Sequence, residues 1–207
     1  MVIGERKLII PMDINLFYED EIKHVFADRG KLHSNSPGPF TVYIEVPAWL
    51  AFLQLADEAY NLRRHEASGI FLGYYFKDMF GEFSLCIHFE PGTGSATTST
   101  FCEISIEDQA RIASAAKETN TLQLVWVHSH PSFSAFYSPV DALTLKTMYY
   151  APHQAGLVVD NIAFEYEGFK VAEDNHVCQF RDIFLIDLQN PNSKIANPYS
   201  TRNRSKI

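Results

Sequence analysis

Two short stretches of this sequence bring metal-binding chemistry close together. His128-Ser129-His130-Pro131 carries two imidazoles, and Ser138-Pro139-Val140-Asp141 follows after six intervening residues. On a strand, residues i and i+2 point to the same face, so His128 and His130 can aim at one point. Pro131 cannot continue a central ladder, which places the pair at a strand end, where a site can open to solvent. Asp141 then comes from the first turn of the following helix. Two neutral imidazoles and one carboxylate suit Zn2+, and three protein ligands leave the fourth position for water. The metal lowers the pKa of such a water to about 7. A plainer account exists for the second stretch. Serine is a favoured N-cap, proline is favoured at the first helical position, and an acid at the third completes a capping box. A His-x-His pair also arises by accident. The cap explains Ser138 and Asp141 and leaves the two histidines unexplained.

Several elements must position these groups. Leu122 to His128 is an apolar run short enough to be a buried strand, and a helix is expected over Val140 to Tyr150. Upstream, Phe40 to Val46 reads as a strand, and Pro47 suits the start of a helix whose apolar spacing covers Ala48 to Arg64. Ser68 to Phe76 and Phe83 to Phe89 read as strands, followed by the glycine-bearing stretch Pro91 to Ser95 and a short strand over Phe101 to Ile104. Ser105 and Asp108 resemble a capping box opening a helix over Ile106 to Glu118. Strands are expected near Gly156 to Val159 and Ala163 to Tyr166, and Gln179 to Leu188 suggests a closing helix. Residues 1–39, with an apolar run at Leu8 to Ile10 and a helix over Asp20 to Phe26, read as an N-terminal appendage. Residues 40–189 form the main domain, and 190–207 a loose basic tail.

Composition narrows the class. The 207 residues are 46% hydrophobic and 14% aromatic, enough for one sizeable core. A net charge of −8 argues against nucleic acid as a partner, which would require a basic face. Three scattered cysteines make no disulfide framework and fit a reducing, cytoplasmic setting. The opening MVIGERKLIIPMD does not read as a signal peptide, and no stretch reaches the ~18 apolar residues of a membrane span. Cys102 has no evident partner for a nucleophilic thiol, and Pro91 to Ser95 lacks the lysine of a phosphate loop.

Taken together, HSHP at 128–131, SPVD at 138–141 and HEASGIFLG at 65–73 resemble the JAMM (MPN+) zinc metalloproteases, which include deubiquitinating enzymes. That family carries a distant glutamate in a Glu-x-x-Gly-x-x-x-Gly strand, then His-Ser/Thr-His-Pro, then Ser-x-x-Asp. Trp126 is similar to the tryptophan of the family's Gly-Trp-x-His, with Val125 in place of the glycine. The resemblance spans roughly residues 40–170. It implies an α/β (α+β) fold, a mixed sheet flanked by helices in the MPN manner, layered like the cytidine deaminases. It further implies that His128, His130 and Asp141 hold one catalytic Zn2+. Glu66 would serve as general base and then general acid, and Ser138 would donate its hydroxyl to the oxyanion. His65, next to Glu66, would face the other way in an extended strand. His153, His176 and Cys178 lack the full ligand set for the second, structural zinc of some members.

The resemblance also implies a substrate: the peptide or isopeptide bond after the C-terminal glycine of ubiquitin or a ubiquitin-like protein. The substrate tail would pair along a strand edge, with loops 77–81 and 91–100 as contact regions. The compact chain fits a prokaryotic deconjugating or precursor-processing enzyme, in a bacterial conjugation pathway with an antiviral role as an extension. Two rivals stand beside this reading. One is a hydrolase of small adducts on a sulfur-carrier protein, and the other is a non-catalytic MPN scaffold. Oligomeric state is not legible in the sequence.

Overall fold

The computed structural model describes residues 12–13, 40–78, 81–93, 96–97 and 102–190. Its elements are β1 (Met12–Asp13), β2 (Thr41–Glu45), α1 (Val46–Arg63), β3 (Ser68–Asp78), β4 (Gly81–Pro91), β5 (Ala96–Thr97) and β6 (Cys102–Glu103). They continue as α2 (Ile106–Glu118), β7 (Leu122–Ser129), α3 (Pro139–Met148), β8 (Ala155–Asp160), β9 (Glu165–Val171), β10 (Val177–Phe180) and β11 (Ile183–Ile186). The expected run at Leu8 to Ile10, the helix over Asp20 to Phe26 and the tail beyond Asn190 lie outside the described residues. Among the described residues, no helix is long and apolar enough to cross a membrane.

Period-two alternation builds the core on two faces of one sheet. Along β7, Val125 and Val127 join a cluster containing Phe52 and Ala56 of α1. Trp126, between them, joins a second cluster with Ile112 and Ala116 of α2, Leu145 of α3 and Tyr149 just past its end. Thus α1 covers one face and α2 with α3 the other, which is why β7 is an almost unbroken apolar run. The strand order is β10-β9-β8-β7-β3-β4-β2-β11, with β1 beside β3 and a separate β5–β6 ribbon. On the main path, β7–β8, β2–β4 and β2–β11 are parallel, and the other neighbours are antiparallel. The fold is mixed α+β.

Only Arg181 and Asp182 separate β10 from β11, although these strands stand at opposite ends of the order. The sheet therefore curls until its ends meet, and Phe180 lies edge-on to Phe40 with ring centroids 5.6 Å apart. This corrects the closing helix expected over Gln179 to Leu188. Helical spacing would put Ile183 and Ile186 on one face, but they enter two different core clusters, as strand residues three apart must. The strand expected from Ala163 starts instead at Glu165, because Phe164 adopts φ 58° and turns the chain. Met12 and Asp13, in the segment read as an appendage, pair in parallel with Phe76 and Lys77.

Other expectations hold closely. Pro47 opens α1, and Ser105 Oγ accepts the Asp108 amide at 3.1 Å to cap α2. Arg64, at φ 56°, ends α1 by donating its amide to Tyr60 O, and so turns the chain into His65 and Glu66. Cys86 and Cys178 are free thiols, the first inside the core.

One core histidine makes stability depend on pH. His153 is 5% exposed, with its ring 6.0 Å from that of Tyr75. Burial first, and the Lys170 charge second, hold its pKa down at about 4 against an ordinary 6.5. The unfolded chain therefore binds this proton at a higher pH than the folded one. The stabilisation is complete above pH 6.5 and is lost as pH falls towards 4. Between pH 6.5 and 5 the loss is about 2 kcal/mol. His153→Phe should flatten that part of the profile, read from urea midpoints at pH 7 and 5. An unchanged slope would place the acid sensitivity elsewhere.

Candidate metal centre

Trp126, His128 and His130 share the face of the sheet that α2 and α3 cover. They climb to the carboxyl end of β7, where His130 N donates to Val159 O of the adjacent parallel β8 at 2.8 Å. Trp126 stacks under His128 with centroids 4.5 Å apart, and Phe136 rests against the His130 ring at 4.9 Å. Both imidazoles are thereby fixed by packing before any ligand arrives.

Asp141 reaches the same point from the first turn of α3. His128, His130 and Asp141 each offer a ligand atom, and these atoms lie within 4.8 Å of one another, all buried. His128 Nε2 is 3.2 Å from Asp141 Oδ1, and His130 Nε2 is 3.8 Å from Asp141 Oδ2. The helix-cap account of Ser138 and Asp141 is also true. Ser138 Oγ accepts the Asp141 amide at 3.1 Å, and Asp141 Oδ2 accepts the Ser138 amide at 2.8 Å. One carboxylate oxygen holds the helix start while the other faces His128, so the cap aims the ligand.

The donor set passes a simple chemical test for a metal. His128 Nε2, the ring nitrogen that faces Asp141, is buried without a hydrogen-bond partner, an arrangement that costs free energy unless something else fills the site. Burial first, and the neighbouring His128 second, hold the His130 pKa down at about 4, so its imidazole is neutral at pH 7. Burial would raise the Asp141 carboxyl, but its contacts with His128 and Ser138 outweigh that and hold it at about 2. A neutral imidazole and an ionised carboxylate are the forms a metal ion requires. Among the described residues this is the one such group. The geometry fits a cation and does not by itself choose which.

Glu66 sits beside the group, 4% exposed, with Oε1 3.7 Å from His130 Nε2. Burial first, and the Asp141 charge second, push its pKa up to about 8, and a cation in the site would oppose both. Its placement depends on Ser129, whose part in the site is not visible from residue type or spacing. Ser129, between the two histidines and fully buried, accepts the Ala67 amide on Oγ at 2.9 Å and donates its own amide to Ala67 O at 2.9 Å. That pair of bonds ties the residue after Glu66 to the residue between the ligands. Tyr137 was also missed. Its hydroxyl donates to Asp141 O at 2.7 Å, and its ring stacks on Phe169. A cavity of about 250 Å3, lined by Leu55, Ala59, Leu62, Arg63, Glu66 and Ser68 among others, opens on Glu66. His65 lines the same cavity and stays outside the metal-binding group.

Fold and site together define a curled mixed α+β sheet protein with a buried two-histidine, one-aspartate group able to hold a metal ion. No protein-family model and no curated protein matches the chain. Among solved structures it aligns with the solution structure of protein DSY2949 from Desulfitobacterium hafniense at a TM-score of 0.56 and 18% identity. The alignment covers 71% of this chain and 94% of that one. At such identity the likeness establishes a shared fold, and function must be argued from the site.

Proposed function

We propose that the chain is a zinc-dependent amide hydrolase of the JAMM (MPN+) type, with residues 40–189 as its catalytic domain in an MPN-like layered architecture. Its substrate is the peptide or isopeptide bond after the C-terminal glycine of a ubiquitin-like protein. The observation that carries this reading is the position of Glu66. It lies 62 residues before His128, yet its carboxylate stands 3.7 Å from His130 Nε2, at the edge of the metal-binding group. A structural metal site is closed by its ligands and has no use for a buried acid beside them.

Zinc at His128, His130 and Asp141 supplies Lewis acidity, which brings the pKa of water to about 7. Glu66 takes the proton of the attacking water and passes it to the leaving amine. Ser138 uses a lone pair of Oγ to cap α3, so its hydroxyl proton remains to donate to the carbonyl oxygen as charge develops there. Trp126 and Phe136 hold the imidazoles and exclude water from their flanks.

The test begins with the purified full chain. It should carry close to one zinc, and cleave a ubiquitin-like protein fused through its terminal glycine to a peptide or to a lysine side chain. A chelator should stop cleavage and added zinc restore it. A zinc-loaded chain that cuts neither fusion would sink the proposal. Release of a single amino acid from the carrier's glycine, with protein conjugates intact, would move the substrate to small adducts of a sulfur carrier.

A further inference from the structure

The capping box fixes the Asp141 carboxylate within α3 and does nothing to fix α3 against the sheet. That second distance matters, because the histidines stand at the end of β7 while the carboxylate stands on a helix. A binding constellation must be held to about 0.5 Å, so its two halves need a common frame.

Tyr137, the residue before the Ser138 cap, supplies one. Its hydroxyl donates to Asp141 O at 2.7 Å. Its ring lies nearly parallel to that of Phe169 on β9, with centroids 4.0 Å apart and planes 22° from each other. Phe169 is buried in the same core cluster as Trp126, the indole on which the His128 ring is stacked. One apolar layer thus underlies both kinds of ligand. Through Trp126 it sets the His128 ring, and through Phe169 and Tyr137 it sets the turn that bears Asp141. Leu145, in that same cluster, anchors α3 one turn further on, so the hydroxyl acts on the first turn. The usual tie at the position before a cap is an apolar contact onto the fourth helical residue. Here that residue is Ala142, which offers only a methyl group, and a polar tie stands beside the cap instead. Only tyrosine serves both ends: phenylalanine would stack and bond nothing, and serine would bond without a seat on the sheet.

We propose that Tyr137 is a positioning residue of the metal centre, a strut from the Phe169 ring to the Asp141 turn that sets the reach of the carboxylate towards His128 and His130. This rests on reading His128, His130 and Asp141 as metal ligands and is independent of the hydrolytic step. A tyrosine serving only the core would lend stability and leave the metal untouched.

Tyr137→Phe keeps the ring on Phe169 and deletes only the hydroxyl. Zinc affinity of the full chain, read by competition with a chelating dye, should fall about 10-fold or more, as when a contact that orients a ligand is lost. The visible spectrum of the cobalt(II)-loaded chain should shift as well. Phe169→Leu removes the seat, leaves the hydroxyl, and should weaken zinc binding too. Both substitutions cut the same strut, so the loss in the double variant should fall well short of the two single losses multiplied together. Zinc affinity of Tyr137→Phe within twofold of the parent, with the same cobalt spectrum, would overturn the proposal even if the melting temperature dropped. Losses that multiply in the double variant would overturn it as well. Should Phe169→Leu not fold, Tyr137→Phe decides alone. A zinc-loaded parent that hydrolyses nothing sinks the proposed function and leaves this test standing. A parent that takes up no metal sinks both.

Discussion

Glu66→Gln should reduce amide hydrolysis by about 10²- to 10⁴-fold, the usual contribution of a positioned general acid–base, while zinc content stays near one per chain. The substitution is isosteric in a pocket where Glu66 is 4% exposed, so packing is preserved. What changes is chemical. A carboxylate can take a proton from water and return it to an amine, and a carboxamide can do neither. Because Glu66 stands outside the group whose ligand atoms converge, metal uptake should not follow activity down. The paired measurement is turnover of a glycine-linked fusion and zinc by mass spectrometry. Loss of both together would make Glu66 a ligand, and retention of both would remove it from the chemistry.

His128→Ala should empty the centre. The ring is 1% exposed, stacked on Trp126, and its nitrogens have no hydrogen-bond partner. Its removal takes away the ring that Asp141 Oδ1 faces at 3.2 Å, while Asp141 Oδ2 still accepts from Ser138 N, so α3 keeps its start and the fold should survive with some loss of stability. Zinc affinity should fall by more than the roughly 10–100-fold that loss of an outer-shell partner brings. Unchanged far-ultraviolet circular dichroism, with zinc reduced from about one to near zero, is the expected result. Tight zinc binding by the variant would mean that a different ligand set holds the metal. Asp141→Asn makes a useful companion. The amide can still accept from the Ser138 amide and so keep the start of α3, while the charge facing His128 is lost.

Most of the architecture follows from local pattern. The Ile106–Glu118 helix appears with the bounds that its serine cap and apolar spacing imply, and the strand ending in the histidine pair lies where its apolar run places it. The last two strands were not legible for a physical reason. Two short apolar pieces flank Arg181 and Asp182, too short for periodicity to separate helix from strand, and the partner that decides the second, Val42 opposite Ile183, lies far back along the chain. The same division runs through the site. The histidine spacing and the Ser138–Asp141 cap declare themselves in sequence, because they depend on neighbours. Ser129 and Tyr137 do not, because their roles depend on the Ala67 peptide and on the Phe169 ring. A serine or a tyrosine carries no sign of which distant group it will meet.

The corner at Arg181 and Asp182 has a consequence for how the molecule comes apart. In an open sheet each margin frays alone, because its outer strand has one neighbour to lose and a loose tether. Here β10 and β11 are joined by two residues, so displacing either margin pulls on the other. Stretches of chain about 140 residues apart, at Val42 and at Ile183, are thus bound into one opening unit. The seam of the curl is a clasp, and β7, the strand that leads into the two histidines, lies in the middle of the band it closes.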